Sequence, residues 1–79
     1  MNDKDLIDRL WKSRAAMEKY RRFPGWQFQG GISDELAIAE AEIAILRDLQ
    51  GLHPERHEHI GKIIAGWEEA KTKLRAKMN

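Results

Sequence analysis

Cysteine is absent from this 79-residue chain, which excludes disulfides and any cysteine-ligated zinc site. That absence also fits a reducing compartment. Valine is absent too, and threonine occurs once. With isoleucine the main β-branched residue and no alternating apolar pattern, strands are not expected. Serine occurs twice, so hydroxyl nucleophiles are scarce. No apolar run approaches the roughly 18–20 residues that span a bilayer. The opening Met1-Asn2-Asp3-Lys4-Asp5 is charged and lacks an apolar core, so no secretory leader is expected there. These absences lead to the expectation of a soluble, cytoplasmic protein without a membrane partner.

A large excess of one charge is also lacking. Lys and Arg number 14 and Asp and Glu 13, for a net charge of +1. A dedicated nucleic-acid domain is usually far more basic. The charges are unevenly placed, however. Residues 1–23 hold seven bases and four acids, 33–50 one base and five acids, and 51–79 six bases and four acids. An acidic middle between basic ends favours packing the middle segment against both.

Breakers divide the chain into three helical segments, with no internal repeat. Phe23-Pro24-Gly25 and Gly30-Gly31 bracket the first connection, and Gly51 with His53-Pro54 marks the second. The first helix is expected over about 3–22. Leu6, Leu10, Ser13, Met17 and Tyr20 form one stripe, widened by Ile7 and Trp11. Asp3 and Asp5 open it and Arg21-Arg22 close it, as the helix dipole favours.

The second helix is expected over about 34–50, with Ser33 as N-cap and Gly51 as a left-handed C-terminal cap. Its apolar residues form two faces. Leu36, Ala39, Ile43 and Leu46 make one, and Ile38, Ala41, Ile45 and Leu49 the other, with Glu42 between them. Such a helix needs neighbours on two sides, so it is placed in the centre. The third helix is expected over about 54–78, with Pro54 in its first turn. Ile60, Ile64, Trp67, Lys71, Leu74 and Met78 follow helical spacing, and Ile63 broadens that stripe. Gly61 and Gly66 each cost about 1 kcal/mol inside a helix. Gly61 with Ala65 suggests close approach by another backbone or a bulky ring, or else a kink there. The fold class is all-α: a small three-helix bundle, or a helical hairpin plus a third helix, in a single domain over 1–79. A central two-faced helix points to a homodimer or higher homo-oligomer, with Ile38, Ile45 and Leu49, or Leu36, Ile43 and Leu46, at the self-interface.

Candidate sites are few. The connection from Phe23 to Gly31 is uncharged and carries Phe23, Trp26 and Phe28. These aromatics either fold back to cap the bundle or form a recognition surface. With Arg21 and Arg22, Trp26 and Phe28 are the expected contacts to a protein partner. An anionic ligand, a nucleotide-type molecule or nucleic acid, could instead meet Tyr20, Arg21, Arg22 and the tail Lys71, Lys73, Arg75 and Lys77. No glycine-rich phosphate fingerprint accompanies them. His53, His57 and His59 are not spaced to converge on a metal, and a pH-sensitive surface cluster fits them better. No serine or threonine stands near a His–acid pair, and a short three-helix chain offers little concave volume. The expectation is a non-enzymatic interaction protein without cofactor or metal.

Overall fold

The computed structural model describes residues 2–26 and 30–78, and these form three long helices. Helix α1 spans Asp3–Arg22, α2 spans Ile32–Leu52, and a short 3-10 turn at Pro54–Arg56 leads into α3, His57–Met78. The described residues include no strand. The packed molecule measures 39 × 18 × 17 Å, close to the length of its longest helix at about 1.5 Å per residue.

The ends of α1 follow from local chemistry. The Asn2 side chain accepts a hydrogen bond from the Asp5 N–H at 2.8 Å, satisfying one of the orphan donors of the first turn. Lys19, Arg21 and Arg22 occupy the last turn, where the dipole favours cations. The ends of α2 differ from expectation. Its N-cap is Gly31, at φ 85° and without a side-chain cap bond, so the helix starts at Ile32 and Ser33 lies inside it. Only glycine adopts that positive φ at little cost. Gly51 does not terminate the helix, which continues through Leu52 to a C-cap at His53. The terminator is Pro54, whose ring disfavours helical backbone at the residue before it. His53 accordingly sits at φ −129°.

The core is one cluster drawn from all three helices. Leu6, Leu10, Met17 and Tyr20 of α1 meet Ala39, Ile43, Leu46 and Leu49 of α2 and Ile60, Ile63, Ile64, Trp67 and Ala70 of α3. Trp67 is fully buried. Its ring meets Tyr20 edge-on, with centroids 5.2 Å apart, and its Nε1–H donates to Ser13 Oγ at 3.0 Å. The indole donor is thus satisfied inside the core, as a buried N–H requires.

Helix α3, not α2, lies at the centre of the bundle: it packs extensively against both neighbours, while α1 and α2 barely meet. The reason is residue size. Gly66 is buried directly against Met17, so close that a Cβ there would fall 2.3 Å from Met17 Sδ. The expected close approach therefore occurs at Gly66; Ala65 is exposed and Gly61 faces only Gln50. Long side chains bridge the wider α1–α2 gap, with Arg9 forked onto the Glu42 carboxylate. That carboxylate raises the Arg9 guanidinium pKa above its ordinary value, chiefly through the hydrogen bond. Side-chain links also tie α3 to α2, including Arg47 to Glu68 at 3.3 Å and Arg75 to Glu40 at 3.4 Å. Such exposed pairs contribute little individually.

Candidate functional surfaces

Both apolar faces expected for α2 can be located on this frame. Of the proposed self-association residues, Ile43, Leu46 and Leu49 are buried in the chain's own core and Leu36 is half-buried. Ile43, Leu46 and Leu49 are consumed by the chain's own core. Ile38 is half-buried at the edge of the core, and Ile45 keeps 42% of its surface exposed. Leu52, beyond the expected end of the helix, is 73% exposed. Of the second apolar face of α2, Ala41 and Ile45 are exposed, Ile38 is half-buried and Leu49 is buried.

That face has a regular spacing. Asp34, Ile38, Ala41, Ile45, Asp48 and Leu52 follow one another at intervals of 4, 3, 4, 3 and 4. All except half-buried Ile38 are exposed. Intervals averaging 3.5 keep a stripe facing a neighbouring helix along its whole length. Leu52 joins the stripe because the helix continues past Gly51.

The aromatic connector does not cap the bundle at the positions described. Trp26 is 80% exposed and Phe23 is also exposed; Phe28 lies outside the described residues. The backbone beside them is held firmly. Glu35, fully buried in the first turn of α2, accepts from the Gly25 N–H at 3.0 Å, and Lys77 Nζ donates to the Pro24 carbonyl at 2.7 Å. Glu35 is an acid of the first turn of α2. Its position four residues before Ala39, in line with Ile43 and Leu46, is the signal that places it on the inner face.

The anionic-ligand set fares differently. Tyr20 is in the core against Trp67 and cannot meet a ligand. Burial, followed by the fields of Glu35 and Glu42, raises its phenol pKa. Arg21 pairs with Glu18 at 2.8 Å and Glu69 at 3.3 Å, and Arg22 lies 3.7 Å from Glu18. Lys71 lies 3.9 Å from Glu68. Lys73 donates to the Arg21 carbonyl at 3.2 Å and sits 3.6 Å from Glu69. With Lys77 on Pro24 and Arg75 on Glu40, each of these bases is engaged within the chain. Lys73 and Lys77 serve the C-terminal end of α1, where carbonyls lack helical partners.

Cations without such partners lie elsewhere, on the outer cleft between α1 and α3. This cleft has a volume of about 470 Å³ and includes Arg14, Met17, His59, Lys62 and Gly66. Through His59 it runs on into a smaller hollow of about 170 Å³ bordered by Ile7, Trp11 and Arg56. Such volume exceeds the little concavity expected from the sequence. Among the described residues Arg14 makes a cation–π contact, 5.9 Å from the Trp11 ring centre, but no ion pair. Lys62 and His59 have no ion pair there either, and Arg56 Nε is buried without a hydrogen-bond partner. Trp11 is 64% exposed. The cleft lining includes neither serine nor threonine.

No group of three or more His, Asp or Glu side chains is placed to hold a metal among the described residues. His53 Nδ1 lies 3.4 Å from Glu55, and His57 and His59 are exposed. No described helix is long and apolar enough to cross a membrane. Comparison with protein-family models, with curated proteins and with solved structures finds no match.

Proposed function

We propose that this chain is a non-enzymatic interaction protein of adaptor or inhibitor type that works by associating with itself and with another protein. The observation that carries the proposal is the uncovered stripe Ile38–Ala41–Ile45–Leu52 along α2. A regular apolar seam on a rigid helix favours burial against a second helix, because each apolar Å² removed from water contributes about 25 cal/mol. Exposed Trp26 beside a firmly held backbone supplies a second contact element, and aromatic anchors on rigid supports are common interface hot spots.

The experiment is a dilution series followed by backbone amide NMR. Shifts that move with concentration and cluster on residues 34–52 support the reading. Spectra unchanged from micromolar to millimolar protein refute its self-association half. The second reading, an anionic-ligand binder, rests on Arg14, His59 and Lys62 rather than on Tyr20 or the tail bases. Titration with labelled nucleotides and duplex DNA at two salt concentrations separates it, since phosphate binding weakens steeply with salt.

A further inference from the structure

The two uncovered surfaces of this chain differ in a complementary way. The α2 stripe is apolar with acids at Asp34 and Asp48, neither of which has an ion-pair partner among the described residues. The α1–α3 cleft is lined by Ile7, Trp11, Met17 and Gly66 and by the bases Arg14, Arg56, His59 and Lys62, and at its far end Arg21 pairs with the acids Glu18 and Glu69. It is a groove between two helices, the shape into which a third helix packs. The stripe runs about 27 Å along α2 and the cleft about 21 Å along α1, at about 1.5 Å per residue.

We propose that the α1–α3 cleft is the docking site for the α2 stripe of a second copy of this chain. The proposal rests on the self-association reading above and specifies its geometry. Ile45 and Leu52 of one protomer enter the apolar cleft beside Trp11 and Gly66 of the next. Asp48 meets the bases at Arg14 and Lys62. Two arguments favour a second copy. Asp34 and Asp48 on the stripe and Arg14 and Lys62 on the cleft make no ion pair among the described residues, so each surface finds its opposite charge on an identical molecule. Parallel, in-register stripe-on-stripe pairing would instead bring Asp34 and Asp48 of one copy near those of the other.

Stripe and cleft lie on different flanks of the bundle, so the contact is head-to-tail. It builds rings or open chains rather than stopping at a twofold dimer. Association is weakened by salt, because the facing charges are partly exposed.

The test uses two full-length double variants and sedimentation. Arg14→Glu with Lys62→Glu reverses the cleft charge and leaves the stripe intact. Ile45→Gln with Leu52→Gln removes the apolar stripe and leaves the cleft intact. Each alone is expected to associate about tenfold or more weaker than the natural chain. Mixed in equal amounts, they are expected to form one-to-one pairs of twice the 9.2 kDa protomer mass, because one variant supplies the stripe and the other the cleft. Circular dichroism confirms helix content in each; Arg14→Ala with Lys62→Ala replaces the charge reversal if that pair fails to fold. A cleft variant that assembles like the natural chain overturns the proposal and leaves self-association standing through stripe against stripe. Folded variants that stay monomeric when mixed also overturn it. A natural chain that is monomeric throughout removes the self-association reading itself.

Discussion

Removing the Trp67 indole tests the core most severely. Trp67 is fully enclosed, packs edge-on against Tyr20, and donates to Ser13 across the α1–α3 contact. Trp67→Ala loses the transfer energy of the ring and leaves a cavity, about 3–5 kcal/mol together. A 79-residue domain has a total stability of about 4–12 kcal/mol, so this change consumes much of it. The milder Ser13→Ala isolates the hydrogen bond. It leaves a buried N–H unpaired, at a cost of about 1–3 kcal/mol, which lowers the melting temperature by about 4–8 °C per kcal/mol in a chain this small. Trp67→Phe removes the donor and part of the ring. In the double variant neither group is left without a partner, so the combined cost is less than the sum of the singles by about 1 kcal/mol. Urea and thermal unfolding followed by circular dichroism measure the natural chain and all four variants. Additive costs within error, or melting of Trp67→Ala at the natural temperature, would refute this account of the α1–α3 contact.

Three further outcomes are expected. Leu46→Ala, at a fully buried position, costs about 2–5 kcal/mol, whereas Ile45→Ala next to it costs about 1 kcal/mol and chiefly weakens association; equal losses in urea melts would contradict the packing of α2. The single tyrosine of the chain ionises above its ordinary pKa of 10.0 in the folded state. Because the folded form holds the proton more tightly, its contribution to stability is complete below about pH 10 and is lost as pH rises through the raised value. Ultraviolet titration of the phenol, compared in native and urea-unfolded protein, reads this directly, and coincident curves would count against burial of Tyr20. Glu35→Ala strands the Gly25 N–H and destabilises by about 1–3 kcal/mol, while Glu35→Gln retains an acceptor and loses less; thermal melts that rank the two the other way would disprove the role of Glu35 in holding the connector.

Much of the helical frame is legible from residue spacing. The α1 stripe from Leu6 to Tyr20 is buried as its 4,3,4,3 intervals imply, and α1 covers the expected residues. Helix ends on glycine are less legible, because Gly31 and Gly51 have the same identity and opposite fates: one adopts a positive φ at a cap, the other continues a helix that only Pro54 stops. The centre of the bundle was misplaced on α2, since periodicity reveals how apolar a face is but not how closely a neighbour can approach. Gly66 settles that by admitting Met17. Side-chain pairing is the least legible feature. Nothing in spacing alone shows that Arg21, Lys73 and Lys77 are engaged around the end of α1 while Arg14, His59 and Lys62 line an open cleft.

The most direct measurement is the solution mass of the natural chain by equilibrium sedimentation across micromolar concentrations, at low and high salt. The account predicts a mass above 9.2 kDa that rises with concentration and falls with added salt. A constant mass of one protomer at every concentration and salt would contradict it.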